Sequence, residues 1–537
     1  MTLFAQIRQG AIAAVALATA ALMIQPAAAD NRPDLVIAVN KLPRSLEPAM
    51  KMGNVDVRVN YNIFDTLIRR DFLTQAKTGQ VRLIPGLATS WKRISPTTLE
   101  LELRKGVKFH DGSEFTADDV IFSFGKERVY GDKAPVRSAR LFIGDLDRIE
   151  KLGPYKIRVV MKAPDPIIEQ RLAGYASWIV SKKAYEKYKK DGEPASKWMH
   201  TAVKKVTWHP DGTGPYKFKE YVPGDHVSFV ANDNYFLGKP AAKTVTFKEV
   251  PEVATRLAGL VSGEFDMAVE IPPDQLPVLE KYSDIKVASV ILENSHVLTF
   301  NTLHPIMRDK KLRQALSLAI DRKKLIDTLW HGLTITPNGN QMADFGDYYI
   351  KDFPPFAYDP AKAKKLLAES SYKGQTVEYR IIPNYYTNSM EAAQIIQEMW
   401  KRIGFNMKIT PVENWKAVRT KDVAIYPWSN TFRYPEPIGQ ISMSWGPGSE
   451  IQEGDHVYWH GTPEFNRLAG VLSSSVDPKE RKATFRRMME IFREEVPGTI
   501  LYNPISTYAM RKGVDFTPYS LYYMDLRPDN LKIARSN

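Results

Sequence analysis

The sequence contains no cysteine among its 537 residues. This absence excludes disulfide bonds, thiol nucleophiles and cysteine-based metal sites together. Beyond residue 29 no apolar run approaches the length of a membrane span, because charged residues or prolines interrupt every candidate. A chain of this length without disulfides must be held together by its hydrophobic core, and we expect two or more domains.

The first 29 residues have the pattern of a secretory signal peptide. Arg8 is their only charged residue, residues 11–24 are apolar or small, and Ala27 and Ala29 frame a cleavage site. The apolar run is short for a membrane span, which disfavours an uncleaved anchor. We therefore predict cleavage after Ala29 and a soluble, exported protein.

The net charge is strongly positive, but it is not concentrated. It is +13 for the whole chain, or +12 once Arg8 leaves with the leader. Lysines and arginines are dispersed, and clusters such as 182–190 are typical of solvated helix faces. Since no basic stripe is visible, we predict no nucleic-acid binding.

Short β-rich runs alternate with amphipathic helices, which predicts an α/β fold. The apolar or alternating runs predict strands at 34–40, 98–104, 244–250, 287–292 and 296–302. Apolar stripes at helical spacing, with Asp caps or Gly stops, predict helices at 309–320, 321–332, 359–370 and 389–404.

No catalytic or metal-binding motif is convincing. Ser283 and Ser370 each fit the S-x-x-K spacing of penicillin-binding proteins, but the only K-T-G, at 77–79, precedes both, and no S-D-N is present. The G-x-S-x-G and H-E-x-x-H patterns are absent too. We predict no enzyme activity, no cofactor and no metal, with an exported hydrolase or a chaperone-like protein as the alternative.

Residues 86–124, "GLATSWKRISPTTLELELRKGVKFHDGSEFTADDVIFSF", indicate a loop, a strand, a turn at His110-Asp111-Gly112 and a helix capped by Thr116. This stretch resembles the signature of the family 5 extracellular solute-binding proteins, the dipeptide-, oligopeptide- and nickel-binding receptors of bacterial ABC importers. In that family the turn is structural. Further blocks follow in the family's order, at 45–49, 60–71, 212–236, 256–268, 312–325 and 358–370.

The resemblance implies a type II periplasmic-binding-protein fold, with two lobes, a two-strand hinge and an extra inserted domain. Carried onto this chain, it places segments 297–302 and 499–510 at the hinge. The implied domains are domain I at 30–68, 206–292 and 506–537, domain II, the insert, at 69–205, and domain III at 293–505.

The resemblance also implies a periplasmic receptor that closes on a peptide or a carboxylated small solute without turnover. Its partners would be that ligand and an inner-membrane ABC permease with its ATPase subunits. We expect the receptor to be a monomer.

The decamer "WSNTFRYPEP", residues 428–437, supplies the central site candidates. Clusters of aromatic residues are more often core than pocket, although pockets are also rich in aromatics. The predicted ligand-binding residues are Arg433, Trp428, Asn430, Tyr434, Asn384, Tyr385, Trp445, Asn338 and Tyr61.

Arg433 is the most informative of these candidates. In peptide-binding members of the family the matching block resembles Trp-Ser-x-Asp-Tyr-Pro-Asp-Pro, and its first Asp pairs with the peptide α-amino group. Arg433 precedes Tyr434 where that Asp stands, so we predict an anionic group on the solute. Two alternatives stay open: a peptide whose amine meets Glu413 or Glu436, and a surface arginine that packs on Trp428 and Tyr434.

Overall fold

Three β-sheets organise the chain in a computed structural model that describes residues 30–383 and 385–534. The first sheet has seven strands, the second five and the third four. Helices are interleaved with the strands, so the predicted α/β class is confirmed. The predicted signal peptide, 1–29, and the candidate Asn384 lie outside the described residues.

The first sheet is assembled from separated parts of the chain. Its strand Asp34–Val39 pairs in parallel with Thr244–Glu249 and Met267–Val269, while the outer pairs are antiparallel. The strand Asp34–Val39 is buried along nearly its whole length, so its sequence is almost continuously apolar and does not alternate between apolar and polar residues. The order across the sheet is Ile285–Ile291, Ile505–Arg511, Met267–Val269, Asp34–Val39, Thr244–Glu249, His226–Ala231 and Tyr216–Val222.

The second sheet carries most of the predicted site. Every side chain of its strands Ile425–Thr431 and Asn294–Phe300 is buried, because both faces of the sheet are covered. The order across the sheet is Met407–Pro411, Val377–Ile381, Ile425–Thr431, Asn294–Phe300 and Gly498–Tyr502.

The third sheet is antiparallel and lies within the predicted insert. Leu99, Leu101 and Leu103 are buried, whereas Glu100 and Glu102 point outward, as the alternation of the sequence predicts. The exact domain boundaries stay a prediction. The order across the sheet is Ala88–Ser95, Thr98–Leu103, Lys156–Met161 and Leu146–Gly153, and two small pairs complete the strands: Ile68–Arg70 with Leu83–Pro85, and Val514–Asp515 with Lys532–Ile533.

Helices cover the sheets. Those near the first sheet are Asn54–Asn60, Val253–Ser262 and Leu276–Leu279. Within 69–205 they are Phe72–Thr78, Ala117–Ser123, Arg140–Ile143, Ile168–Arg171, Lys182–Glu186 and Ala195–Val206. Beyond residue 300 they are Lys310–Leu318, Arg322–Trp330, Pro360–Ala368, Ser389–Ile403, Trp415–Val418, Ile441–Trp445, Glu450–Glu453, Pro463–Ser474 and Pro478–Glu495. None of the described helices is both long and apolar enough to cross a bilayer.

The predicted helix caps are present. Asp309, Asp321 and Asp359 each accept a hydrogen bond from a backbone N–H of the first helical turn. Gly404 ends its helix in the left-handed region, with φ +96°. The four helices predicted beyond residue 300 are therefore confirmed.

The part of the chain built on the first sheet is called the first lobe, and the part built on the second sheet the second lobe. The chain passes between these two sheets at two adjacent points. Leu292 and Glu293 form one crossing, and Asn503 and Pro504 form the other. The Leu292 N–H donates to the Pro504 carbonyl oxygen at 2.9 Å, which ties the crossings together. The second crossing falls within 499–510, as expected. The prediction of 297–302 for the first is wrong, because those residues extend a fully buried strand whose apolar pattern looks the same as that of a crossing segment.

Candidate ligand-binding site

The strand Ile425–Thr431 positions the central candidates. It pairs antiparallel with Asn294–Phe300 in the middle of the second sheet. Side chains alternate between the faces of a strand, so Trp428 and Asn430 share one face and Ser429 lies on the other. On that other face, Asn294 Nδ2 donates to Ser429 Oγ at 2.6 Å.

Trp428 lies between a guanidinium and a second indole. Its side chain is nearly buried. The Arg419 Cζ lies 5.3 Å from the Trp428 ring centroid, and the Trp445 ring centroid lies 5.8 Å away. A cation over an aromatic face is attracted by the ring quadrupole, so this contact orders both groups. The indole is therefore held next to a charged group that a solute can perturb.

Asn430 carries a buried amide without a partner. The residue is fully buried, and neither Oδ1 nor Nδ2 has a hydrogen-bond partner among the described residues. Leaving such a group unpaired in the interior costs about 1–3 kcal/mol. A solute that offers both a donor and an acceptor would relieve this cost.

Arg433 is a half-buried arginine that forms no ion pair with an acid in the part of the chain that the structure describes. Its Nη1 donates to the Thr431 carbonyl oxygen at 3.3 Å, and its Nε has no partner among the described residues. Its guanidinium lies 5.1 Å from the Phe142 ring centroid, so the aromatic contact that one alternative assigned to Trp428 and Tyr434 is made by Phe142. Burial lowers the pKa of Arg433, which reflects the cost of holding this charge away from water.

The charges around Arg433 do not cancel. Arg419 pairs with Glu450, and Arg44 from the first lobe pairs with Asp56. The attraction of Arg419 lowers the pKa of Glu450, and Arg433 and Arg44 add to that effect. Three guanidiniums and two carboxylates leave one positive charge in excess, and it belongs to the unpaired Arg433.

Tyr385 lies close to the same charges. It is half-buried, and its ring meets the Trp415 ring edge-on at 5.1 Å. Burial raises the pKa of Tyr385, and the charge of Arg44 opposes the rise. The structure thus brings Tyr385 near Arg44.

Tyr434 has a hydroxyl that is already used. Its ring is buried, and its OH donates to the Phe142 carbonyl oxygen at 2.7 Å. A Cβ added to Gly174 would come within 2.5 Å of this ring, so only glycine permits the contact. The structure gives Tyr434 a bridging role between the second lobe and the segment 142–174.

Three further candidates are placed in packing or loop contacts. Trp445 is fully buried, with its ring 4.8 Å from that of Phe492, although its Nε1 has no partner among the described residues. Asn338 donates to the Phe353 carbonyl oxygen at 3.0 Å and closes a loop. Tyr61 is stacked 4.2 Å from Tyr523. Their role as ligand contacts stays a prediction.

The sequence profile described as bacterial extracellular solute-binding proteins, family 5, middle part, matches residues 82–451. This range is more than half of the chain. The chain belongs to family 5 of the extracellular solute-binding proteins. The resemblance seen in the sequence is therefore confirmed, and with it the reading of the chain as a solute-binding protein of the class that serves ABC importers.

Curated relatives cover most of this family 5 protein. The oligopeptide-binding protein AppA of Bacillus subtilis is 26% identical over 445 residues, which are 78% of each chain. The dipeptide-binding protein of Escherichia coli is 26% identical over 467 residues, 82% of this chain and 85% of that one. The similarity thus extends along more than three quarters of each relative.

Solved structures support the fold. The periplasmic binding protein DppA of Helicobacter pylori, in complex with the peptide STSA, superposes with a TM-score of 0.81 at 22% identity, covering 94% of this chain and 99% of that chain. AgaA, in complex with agropinic acid, gives 0.80 at 22% identity and the same coverage. The predicted type II periplasmic-binding fold of the family 5 protein is confirmed.

The two acids considered for an amine contact are not placed alike. Glu436 is buried and paired with Arg481, and its carboxylate also accepts the Ile438 N–H. Glu413 is exposed. Glu436 is therefore occupied by a structural pair, and the acid whose charge acts on Arg433 in this family 5 protein is Glu450, whose side chain is 64% exposed.

Sequence reasoning missed Arg44, Arg419 and Glu450. Arg419 and Glu450 are 31 positions apart, and Arg44 comes from the first lobe, so no local pattern joins them. Between Asp422 and Glu436 the sequence shows one charged residue, Arg433, and nothing near it points to these three. Within residues 30–383 and 385–534 the family 5 protein shows no group of three metal-ligating side chains.

Proposed function

We propose that this protein captures a peptide or peptide-like carboxylated solute outside the cytoplasm and delivers it to an ABC permease with its ATPase subunits. The anionic group of the solute binds Arg433. The protein acts as a monomer and releases the solute unchanged. Export through the signal peptide places it in the periplasm.

The observation that carries this proposal is the unpaired guanidinium. Among other buried arginines, Arg128 and Arg481 have carboxylate partners. Arg256 and Arg322 have none among the described residues, but each donates to three backbone carbonyl oxygens. Arg433 has no ion pair with any described carboxylate, and its Nε is free of hydrogen bonds there. A guanidinium binds both oxygens of a carboxylate through its planar donor fork. A bound anion would supply the missing partner.

Closure of the lobes would complete the site. In the proposed division, domain I is 30–68, 206–292 and 506–537, domain II is 69–205, and domain III is 293–505. The two crossings at Leu292 and Pro504 are joined by a hydrogen bond, which suits a hinge that bends as a unit. A solute held between Arg433 and the first lobe favours the closed state by its contacts there.

A peptide bound by its α-amino group is the second candidate. Glu450 favours it, because this carboxylate is largely exposed and lies near Arg433 and Arg44. Against it stands the excess positive charge, which repels an ammonium group. The two candidates differ in whether an acid or an amine on the solute carries the affinity.

The experiment begins with native mass spectrometry of the purified protein, followed by unfolding and identification of the co-purified solute. Isothermal titration calorimetry of that solute then compares the wild type with Arg433→Ala. Arg467→Ala, at an exposed arginine, is the matched control. We expect a carboxylated solute, weaker binding in Arg433→Ala alone and no conversion of the solute. A solute without an anionic group, or its conversion to product, would overturn the proposal.

A further inference from the structure

Tyr175 places a second unpaired donor near Arg433. Its ring is 1% exposed, and its hydroxyl has no hydrogen-bond partner among the described residues. The ring is packed on three sides, by Phe142 at 6.0 Å, Trp178 at 6.4 Å and Tyr523 at 5.2 Å between centroids. The tyrosine is therefore fixed in place with its polar end unused.

The ring of Phe142 contacts both residues that carry the unpaired donors, Tyr175 and Arg433. It stacks on Tyr175, and the Arg433 guanidinium lies 5.1 Å from its centroid. Burial raises the pKa of Tyr175, while Arg433 is close enough for its charge to oppose that rise. The hydroxyl thus stays protonated at neutral pH and can donate. Tyr175 and Phe142 belong to the segment 69–205, and Arg433 belongs to the second lobe.

The acids near this pair are engaged elsewhere. Glu293 is the carboxylate that acts on Tyr175, and it accepts hydrogen bonds from Arg70 and Gln75, each at 2.8 Å. Glu450 acts on Arg433 but is paired with Arg419. Neither acid accepts from the Tyr175 hydroxyl or from Arg433 Nε in the described residues.

We propose that the Tyr175 O–H and the Arg433 guanidinium, through its unpaired Nε–H, together form a subsite for the carboxylate of the solute. This inference rests on the proposed function and adds a contact from the inserted domain to a site predicted from the two lobes. Both groups are donors, so they match an acceptor-only carboxylate. An uncharged amide offers one acceptor oxygen and an NH₂ that would face the donors, so the subsite selects against it.

Matched probes test the subsite: trialanine as the free acid and trialanine amide, measured by calorimetry on the full protein. A hydrogen bond to a charged group stabilises by about 1.5–3 kcal/mol. We therefore expect Tyr175→Phe to weaken binding of the acid about tenfold or more and to leave binding of the amide nearly unchanged. The variant should melt at or slightly above the wild-type temperature, because it removes only an unpaired buried hydroxyl.

Tyr130→Phe is the matched control, since its hydroxyl lies in the same segment but already donates to the Gly144 carbonyl oxygen at 2.8 Å. It should lower the melting temperature and leave both affinities unchanged. If the two donors bind one carboxylate, the loss in the Tyr175→Phe/Arg433→Ala double variant should be smaller than the sum of the single losses in free energy.

The possible results distinguish a failure of the Tyr175 subsite from a failure of the proposed anionic group. A wild-type preference for the acid that persists undiminished in Tyr175→Phe overturns the subsite and leaves the proposed role of Arg433 intact. Equal binding of acid and amide by the wild type contradicts the anionic-group proposal itself. Additive losses in the double variant also contradict a shared carboxylate.

Discussion

The guanidinium of Arg433 lies over the ring of Phe142, 5.1 Å from its centroid. An arginine of the second lobe therefore rests on an aromatic side chain of the segment 69–205 rather than on its own neighbours in sequence. The stacking accounts for its orientation but supplies no counter-charge. This combination of a fixed direction and a missing partner is the reason for proposing Arg433 as the anion contact.

Tyr434→Phe should lower stability without a matching loss of affinity. The variant removes the hydrogen bond from Tyr434 OH to the Phe142 carbonyl oxygen and leaves that buried acceptor unpaired, which costs about 1–3 kcal/mol. Thermal or urea unfolding measures this loss, and calorimetry with the co-purified solute measures affinity. A large loss of affinity at unchanged stability would instead make Tyr434 a direct solute contact.

Trp428→Phe should reduce the change in tryptophan fluorescence that accompanies solute binding. Trp428 lies 5.3 Å from the Arg419 guanidinium, whose surroundings a bound solute would alter. Trp91→Phe, on the third sheet, is the control and should keep the full change. If Trp428→Phe retains the wild-type signal, the solute does not reach this part of the second lobe.

Glu450→Gln should strengthen binding of an anionic solute. The variant removes one of the two carboxylates near three guanidiniums, so the excess positive charge rises. Since the Glu450 side chain is 64% exposed, solvent screens the effect, and we expect a gain of no more than about fivefold. Titrations at low and high salt measure it. Weaker binding in Glu450→Gln would favour the candidate in which an amine meets this acid.

The stability of the protein should fall as pH drops from about 6.5 to about 4, in part through His110. Burial lowers the pKa of His110 to about 4, and its Nε2 lies 3.0 Å from the Gly214 carbonyl oxygen. As pH falls below the pKa of histidine in the unfolded chain, the unfolded state binds a proton that the folded state still excludes. The free energy of unfolding therefore falls by no more than about 1.4 kcal/mol per pH unit, and the full contribution is present only above that unfolded-state pKa.

Unfolding free energies across this pH range compare the wild type, His110→Gln and the exposed control His460→Gln. The slope of the unfolding free energy against pH should be smaller in His110→Gln than in the wild type and the control. It should not vanish, because burial also lowers the pKa of His296, to about 3. An unchanged slope in His110→Gln would show that this ring does not resist protonation in the folded state.

Local patterns in the sequence predict the elements well. Asp309, Asp321 and Asp359 cap helices where the sequence places them, because a cap needs only residues within one turn. The prediction of 297–302 for the first crossing is wrong, since a buried strand and a crossing segment are equally apolar. The physical signal that fixes a crossing is its pairing with the other crossing, at Leu292 and Pro504, which no local window contains.

In the site, too, local patterns predict single residues and miss the long-range contacts. The block at 428–437 pointed to Arg433 because the family resemblance aligned it with an anchoring acid. The residues around Arg433 could not be predicted, because no local pattern joins them to it. Phe142 and Tyr175 lie some 260 to 290 positions earlier in the sequence, and Arg44 comes from the first lobe. Aromatic composition also could not separate Trp428, beside a cation, from Trp445, which packs against Phe492 in the core.

The affinity of Arg433→Ala for the co-purified solute tests the central claim most directly. Loss of a charged hydrogen bond is worth about 1.5–3 kcal/mol, so calorimetry should show binding weakened by roughly ten- to a hundredfold. Arg433→Asp should bind an anionic solute more weakly still, because it places a like charge at the anchor. An affinity of Arg433→Ala equal to that of the wild type would contradict the account and leave Arg433 a packing residue on Phe142.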